Sequence, residues 1–312
     1  MGCEAPLVMR VFLTGASGFI GANLVPILIE NNCEILALAP LDDPLDRLKD
    51  VETQIRIVRG NLADTKIIAG AIDEFKPETC IHLAWYAEPG EYLHSLRNIE
   101  FLFQSIELLK VLHSSGCSNV LMSGTCAEYD TSIPVLTEDS PARPETLYAT
   151  AKLSLNLLGQ HFASNHNMNF AWARIFYLFG PHEDERRMVP ALIKSLLTET
   201  PYPATKGEQV RDYLYVGDVA AALWLIASSK LVGIYNVCSN TSTTIHHLMT
   251  TAGKILGKDE LIQFGSIPYR DWEPMSILGD NRKLKRAGWR QQFSLDQGLE
   301  RTVDWWRCRQ EQ

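Results

Sequence analysis

Apolar residues in the first half of the chain recur in short dense runs separated by longer amphipathic stretches. Val11-Phe12-Leu13 is one such run, with a glycine-rich turn behind it and then a helical pattern through Leu24, Ile27 and Leu28. Ile35-Leu36-Ala37-Leu38, Ile55-Arg56-Ile57-Val58, Cys80-Ile81-His82-Leu83 and Val120-Leu121-Met122 repeat it, most of them with a helical segment between. Strand-length apolar runs suit strands covered on both faces, and their alternation with helices predicts a parallel sheet with helices on both sides. Two later helices are apolar on more than one face. One runs from about Glu91 to His113 and the other starts near Leu147 and carries Leu153, Leu155, Leu157, Leu158 and Phe162. A helix laid on one sheet needs a single apolar stripe. The surplus predicts deep burial within the chain or a homodimer built on these helices, the second being favoured.

After about Phe170 the pattern changes. Prolines cluster at Pro181, Pro190, Pro201 and Pro203 and again at Pro268 and Pro274, and short runs such as Tyr213-Leu214-Tyr215-Val216 and Ile234-Tyr235-Asn236-Val237 mix with helices. This predicts a smaller lobe over residues 171–312, interleaved with the end of the main sheet, following a domain over residues 1–170.

The turn behind the first run reads Thr14-Gly15-Ala16-Ser17-Gly18-Phe19-Ile20-Gly21. Strand, glycines and helix stand in the order that a dinucleotide site requires. Gly15 permits the tight turn, Gly18 lets a pyrophosphate approach the backbone, and Gly21 allows close packing of helix on strand. The helix N-terminus offers N–H groups and positive potential to the phosphates. The first domain is therefore expected to be a doubly wound parallel sheet of the Rossmann type, and the second lobe to bind substrate.

Composition narrows the classes. Of 312 residues, 46% are hydrophobic and 21% charged, as in an ordinary globular enzyme. A net charge of -8 disfavours nucleic-acid backbones as partners. The seven cysteines, Cys3 to Cys308, are scattered without a CxxC pair, so reduced cytoplasmic thiols are expected, and neither disulfides nor a metal site. The segment from Met1 to Met9 does not read as a signal peptide, and no apolar run is long enough to cross a bilayer. A cytoplasmic protein with no membrane partner is expected.

Tyr148 and Lys152 lie four apart in a helical stretch and so share a face. Tyrosine is a poor acid or base at neutral pH, but a neighbouring ammonium stabilises its phenolate. Such a pair can move a proton to or from a sugar hydroxyl while hydride moves at the carbon.

The GxxGxxG loop, this pair, Ser123-Gly124-Thr125 at a strand end and His82-Leu83-Ala84-Trp85 together resemble the extended short-chain dehydrogenase/reductase family, in its sugar-nucleotide epimerase/dehydratase branch. The resemblance covers nearly the whole chain. It implies Thr125, Tyr148 and Lys152 as catalytic residues, with Thr125 holding the substrate oxygen. It implies cofactor contacts at Gly15, Ser17, Gly18, Phe19, Ile20 and Gly21, and at Asn61, Leu62, Leu83, Ala84, Trp85, Ser123, Tyr148 and Lys152. Trp85 stands where the family usually has alanine, and Asn61 where it usually has aspartate. Arg174 to Pro181 resembles the segment RxxNxYGP, with Tyr177 in place of the usual asparagine. Arg211-Asp212-Tyr213-Leu214-Tyr215-Val216-Gly217-Asp218 resembles RDYxYVxD, whose arginine holds the substrate diphosphate. Tyr177, Arg211 and Arg270 are thus the candidate substrate residues.

Missing residues sharpen the reaction. Sugar-nucleotide 4,6-dehydratases carry Asp-Glu straight after the threonine, as acid and base for losing water, whereas this chain has Cys126-Ala127. The 3,5-epimerase-reductases use a cysteine and a histidine at positions held here by Ala127 and by Arg186 or Arg187, with Cys126 and His182 out of register. What remains suits plain ketone reduction or alcohol oxidation, or 4-epimerisation with bound NAD. The Gly-Thr-Cys-x-Glu-Tyr and His-Leu-Ala-Trp variants resemble the 4-ketoreductases of 6-deoxyhexose nucleotides, which implies reduction of a 4-keto-6-deoxy sugar nucleotide. A non-catalytic dinucleotide sensor is a distant alternative. Counted from Gly15, the position where NAD-preferring members place an acid is Ala39, followed by Pro40, with no adjacent arginine. The missing acid favours NADP(H) over NAD(H).

Overall fold

The computed structural model describes residues 8–270 and 273–310. Cys3 and the N-terminal reading through Leu7 lie outside that range. The strands are β1 (Arg10–Thr14), β2 (Glu34–Ala39), β3 (Arg56–Arg59), β4 (Thr79–His82), β5 (Asn119–Thr125), β6 (Asn169–Ile175), β7 (Tyr177–Phe179), β8 (Tyr202–Ala204), β9 (Val210–Arg211), β10 (Tyr213–Tyr215), β11 (Gly233–Val237), β12 (Thr243–Thr244), β13 (Ile262–Phe264) and β14 (Ser276–Ile277). The helices are α1 (Phe19–Glu30), α2 (Thr65–Phe75), α3 (Arg97–Ser114), α4 (Leu147–Asn165), α5 (Met188–Leu197), α6 (Val216–Ser228), α7 (Ile245–Leu256), α8 (Arg282–Arg286) and α9 (Leu295–Gln310). Among the described residues no helix is long and apolar enough to cross a membrane.

Seven strands form one sheet in the order β11-β6-β5-β4-β1-β2-β3. β1 pairs parallel with both β2 and β4. The chain winds outward from β1 in one direction and from β4 in the other, so the order reverses between them. In open α/β sheets the crevice beyond the strand ends at such a reversal is where ligands bind. Helix α3 lies against α2 and α4. Phe12, Leu36, Cys80, Leu112, Val120, Leu155 and Trp172 belong to one buried core, and the strand residues that alternate with them, Val11, Leu13, Ile35, Ala37, Ile81 and Leu121, are buried too, which is why the strand runs are apolar on both faces.

The chain divides into two compact units. One comprises residues 1–124, 145–173 and 220–234, and the other residues 125–144, 174–219 and 235–312. In the second, β7 pairs parallel with β10, and β9 lies between β12 and β14. Helices α5, α7 and α9 lie against one another.

The third helix starts later than its apolar pattern predicts, at Arg97 instead of Glu91. Asn98 explains the difference. Its side-chain amide donates to the carbonyls of Tyr92 and Ser95, and the Ser95 hydroxyl accepts from the N–H of Arg97. These bonds hold the preceding residues in turns. Leu96, Phe103, Leu157 and Leu158 stay more than half exposed on the single chain.

Candidate active site

The glycine loop leaves the end of β1 and enters α1. Gly15 has φ +74°, and a Cβ there would come within 2.7 Å of the backbone nitrogen of Ala84. Both its conformation and its contact with the chain after β4 therefore exclude a side chain. A Cβ at Gly21 would lie 2.1 Å from the carbonyl oxygen of Gly15. The close packing expected of Gly21 is thus against the loop's own backbone, not the strand. Gly18 is the N-cap of α1 and makes no side-chain cap bond, and a Cβ there would touch only the Gly15 carbonyl, at 3.1 Å. Phe19 and Ile20 form the first turn, half-buried. A bare helix start over an open backbone loop fits a pyrophosphate.

The end of β2 departs from the sequence reading. The strand does stop at Ala39, but the loop behind it folds back on the glycine loop. The Ser17 hydroxyl donates to Asp43, and Arg47 donates to the Ser17 carbonyl at 3.2 Å. Arg59, at the end of β3, donates to the carbonyls of Pro40 and Asp43 at 3.0 and 2.6 Å. An acid and two guanidinium groups are therefore present where counting along the strand found neither. The empty position at Ala39 no longer separates the two cofactors.

At the end of β4, His82 is buried and its ring lies 2.7 Å from the Thr14 hydroxyl and 2.9 Å from that of Ser105. The Ser105 hydroxyl donates to the Phe101 carbonyl, so it accepts from Nε2–H of His82, and Nδ1 accepts from Thr14. Thr14 in turn accepts from the N–H of Ala84 at 3.3 Å. Burial, and then the nearby Lys152 charge, hold the imidazole neutral, with its pKa lowered to about 3. The relay fixes Leu83 and Ala84 against the glycine loop. Asn61 is exposed and its N–H is held by Asp64, while Leu62 is buried in the core.

Helix α4 is started by Thr146, whose hydroxyl accepts from the N–H of Ala149. That cap puts Tyr148 in the first turn, half-buried, and Lys152 one turn on, 3% exposed. The Lys152 ammonium donates to the Ser123 carbonyl at 2.8 Å. It also sits 3.9 Å from the centroid of the Trp85 indole. The Tyr148 ring meets Tyr92 and Trp85 edge-on, at 5.0 and 6.5 Å between centroids. The structure thus brings Tyr148, Lys152, Ser123 and Trp85 together within one unit.

In the other unit, Thr125 caps a single turn of 3-10 helix over Cys126–Glu128. Its hydroxyl oxygen accepts from the N–H of Ala127 at 3.2 Å, leaving the hydroxyl hydrogen to donate elsewhere. Glu128 is fully buried. One carboxylate oxygen accepts from the Thr125 N–H and the other from Arg174, each at 2.8 Å. Burial pushes the Cys126 thiol up to about 12.

Arg211 is 3% exposed, donates to the Val210 carbonyl and to Glu273 at 2.9 and 3.1 Å, and lies over the Tyr177 ring. The next residue explains how it is aimed. Asp212 accepts the N–H and hydroxyl of Ser239 and the N–H groups of Asn240 and Gly279, so it pins two other chain segments to the strand end next to Arg211. Asp218 likewise accepts from the N–H groups of Gln292 and Phe293. Both acids of the RDYLYVGD segment are structural. Arg270 is exposed.

Comparison with known proteins gives a consistent picture. The profile of the NAD dependent epimerase/dehydratase family matches residues 11–238. A CDP-abequose synthase from Salmonella typhimurium is 26% identical, over 93% of this chain and 96% of its own. A probable dTDP-glucose 4,6-dehydratase from Sinorhizobium fredii is 27% identical, over 96% and 93%. Among solved structures, a UDP-glucose 4-epimerase from Thermus thermophilus in complex with NAD matches with TM-score 0.85 and 25% identity, covering 96% of this chain and 99% of that one. A UDP-N-acetylglucosamine 4-epimerase from Methanobrevibacter ruminantium in complex with UDP-N-acetylmuramic acid matches with TM-score 0.88 and 25% identity, over 97% and 99%.

Proposed function

From the premise that the chain belongs to the NAD-dependent epimerase/dehydratase family, we propose that it reduces a 4-keto-6-deoxy sugar nucleotide to the 4-hydroxy sugar. The observation that carries this reading is the segment Thr125-Cys126-Ala127-Glu128. Ala127 has no proton to transfer, the Cys126 thiol is held protonated by burial, and both oxygens of Glu128 are already engaged. Elimination of water needs an added acid and base, and none of these three supplies one. Tyr148, Lys152 and Thr125 suffice for a ketone.

A nicotinamide dinucleotide bound at the glycine loop would supply the hydride. Tyr148 gives its phenolic proton to the carbonyl oxygen. Lys152 brings a positive charge to the same helix face as that phenol, favouring its ionised form after transfer, and would hold the nicotinamide ribose of a bound cofactor. Thr125 is assigned a second hydrogen bond to the same oxygen. Gly15, Ser17, Gly18, Phe19, Ile20 and Gly21, with Asn61, Leu62, Leu83, Ala84, Trp85 and Ser123, are assigned the cofactor contacts that the resemblance implies. NADPH is the expected donor, with Arg47 and Arg59 available to a 2′-phosphate and Asp43 set against it.

A second reading is 4-epimerisation, supported by the two solved 4-epimerases that match over nearly the whole chain. The two differ in stoichiometry. A reductase consumes one reduced cofactor per product, whereas an epimerase returns its cofactor each cycle. A panel of 4-keto-6-deoxy sugar nucleotides assayed for NADPH and NADH oxidation tests the proposal. Oxidation of neither, together with interconversion of UDP-sugar epimers, would replace it by the second reading. Inertness towards all sugar nucleotides would favour the dinucleotide sensor.

Arg211 is read as the diphosphate ligand, exchanging Glu273 for phosphate oxygens. The diphosphate is remote from the reacting carbon, so its binding is nearly uniform between ground and transition states. Arg211→Ala should raise KM by roughly 10- to 100-fold, the worth of a charge-assisted hydrogen bond, and change kcat far less. An unchanged KM would remove Arg211 from the site.

The exposed apolar residues of α3 and α4 are read as a homodimer surface. Light scattering at micromolar concentration should give twice the 35.1 kDa chain mass. Phe103→Glu with Leu157→Glu should return the monomer.

A further inference from the structure

We propose that Trp85 is a positioning residue for Lys152: the face of its indole is the seat of the ammonium that serves the cofactor and Tyr148. This rests on reading Tyr148 and Lys152 as the proton-transfer pair. The ammonium lies 3.9 Å from the ring centroid, well inside the distance at which an aromatic face attracts a cation, and tryptophan offers the strongest such face. The attraction is strengthened by burial, since Lys152 is 3% exposed.

The indole is itself held. Its N–H donates to the side-chain oxygen of Asn98 at 2.9 Å. Asn98 is fully buried, and its own N–H groups are tied to Tyr92 and Ser95. Phe101 lies against the indole, 5.8 Å between centroids. A rotation of the ring would break the bond to Asn98. The ammonium faces the Ser123 carbonyl, the indole and the neutral His82, and the Tyr148 ring packs against the same indole. The ring that seats the lysine thus also borders the tyrosine. A side chain of alanine size, usual at this place in the resembled motif, would leave the ammonium without that face.

The test is a double-mutant cycle on cofactor affinity, which needs no sugar substrate. NADH and NADPH are titrated by nicotinamide fluorescence into the full-length wild-type, Trp85→Leu, Lys152→Met and doubly substituted proteins. Trp85→Leu should weaken binding roughly 2- to 30-fold, the range of a cation–π contact, and Trp85→Phe should fall between. In the Lys152→Met background the same change should move Kd by less than about 2-fold, because the seat then has no occupant. Losses that simply multiply in the double variant would overturn the proposal and leave Trp85 as packing or as a direct cofactor contact. So would equal affinities for the Phe and Leu variants, which settles the matter even if Lys152→Met binds too weakly to titrate. Should Trp85→Leu fail to fold, Trp85→Phe carries the cycle. If no sugar nucleotide is turned over by any of these proteins, the proposed reaction fails while the cycle still reads the seat.

Discussion

Tyr148→Phe should fold, bind cofactor with nearly unchanged affinity and lose roughly 10²- to 10⁴-fold in kcat, the usual worth of general acid–base catalysis. The ring is wedged edge-on between Tyr92 and Trp85, contacts that phenylalanine keeps. Only the transferable proton goes. Because that proton moves in the transition state, kcat and kcat/KM should fall together. Steady-state rates with the substrate found by the sugar-nucleotide panel check this, beside a cofactor titration that confirms an intact site. Near-normal turnover would mean that the tyrosine four residues before Lys152 serves packing alone and that another group delivers the proton.

Glu128→Ala should cost about 3–5 kcal/mol of stability, the usual penalty for stripping one partner from a buried ion pair. The carboxylate is 0% exposed and Arg174 3%. Its loss leaves a buried guanidinium stacked over the Tyr129 ring and the N–H of Thr125 without its acceptor. Urea unfolding with an unchanged m-value and a lowered midpoint would show this. Replacing both partners, Glu128→Leu with Arg174→Met, should recover the part of the loss due to the stranded guanidinium, and leave the cost of the Thr125 N–H without its acceptor. A loss below about 1 kcal/mol in the single variant would contradict the burial argument, because only exposed pairs are worth so little. The result matters for the reaction too. A carboxylate whose removal destabilises the fold is spent on structure, and the segment after Thr125 then holds no spare base.

What could be read without coordinates was whatever is local. The order of strand, glycine turn and helix around Gly15 depends on φ/ψ limits and on neighbours within a few residues, so sequence sufficed. The same holds for the face shared by Tyr148 and Lys152, which helical periodicity alone decides. The parallel sheet followed from apolar runs too long for a half-exposed strand. The missing acid and base after Thr125 were visible as the letters Cys126-Ala127.

What the tertiary structure decided are the meetings of residues far apart in the chain. Counting to Ala39 located the strand end correctly, but the loop beyond it returns Asp43 and Arg47 to Ser17, and β3 brings Arg59 to the same loop. A count along one strand carries no information about its parallel neighbour. The start of α3 differs because apolar periodicity continues through Leu93 and Leu96, whereas the side-chain bonds of Asn98 take the carbonyls of Tyr92 and Ser95 and compete with the helix there. Glu128 carries no sign of a partner in the sequence around it, and only the fold sets Arg174, on β6, against it. Trp85 under Lys152 is the same kind of fact. Periodicity tells which side a residue faces, but sheet order and the hydrogen bond to Asn98 determine what stands opposite.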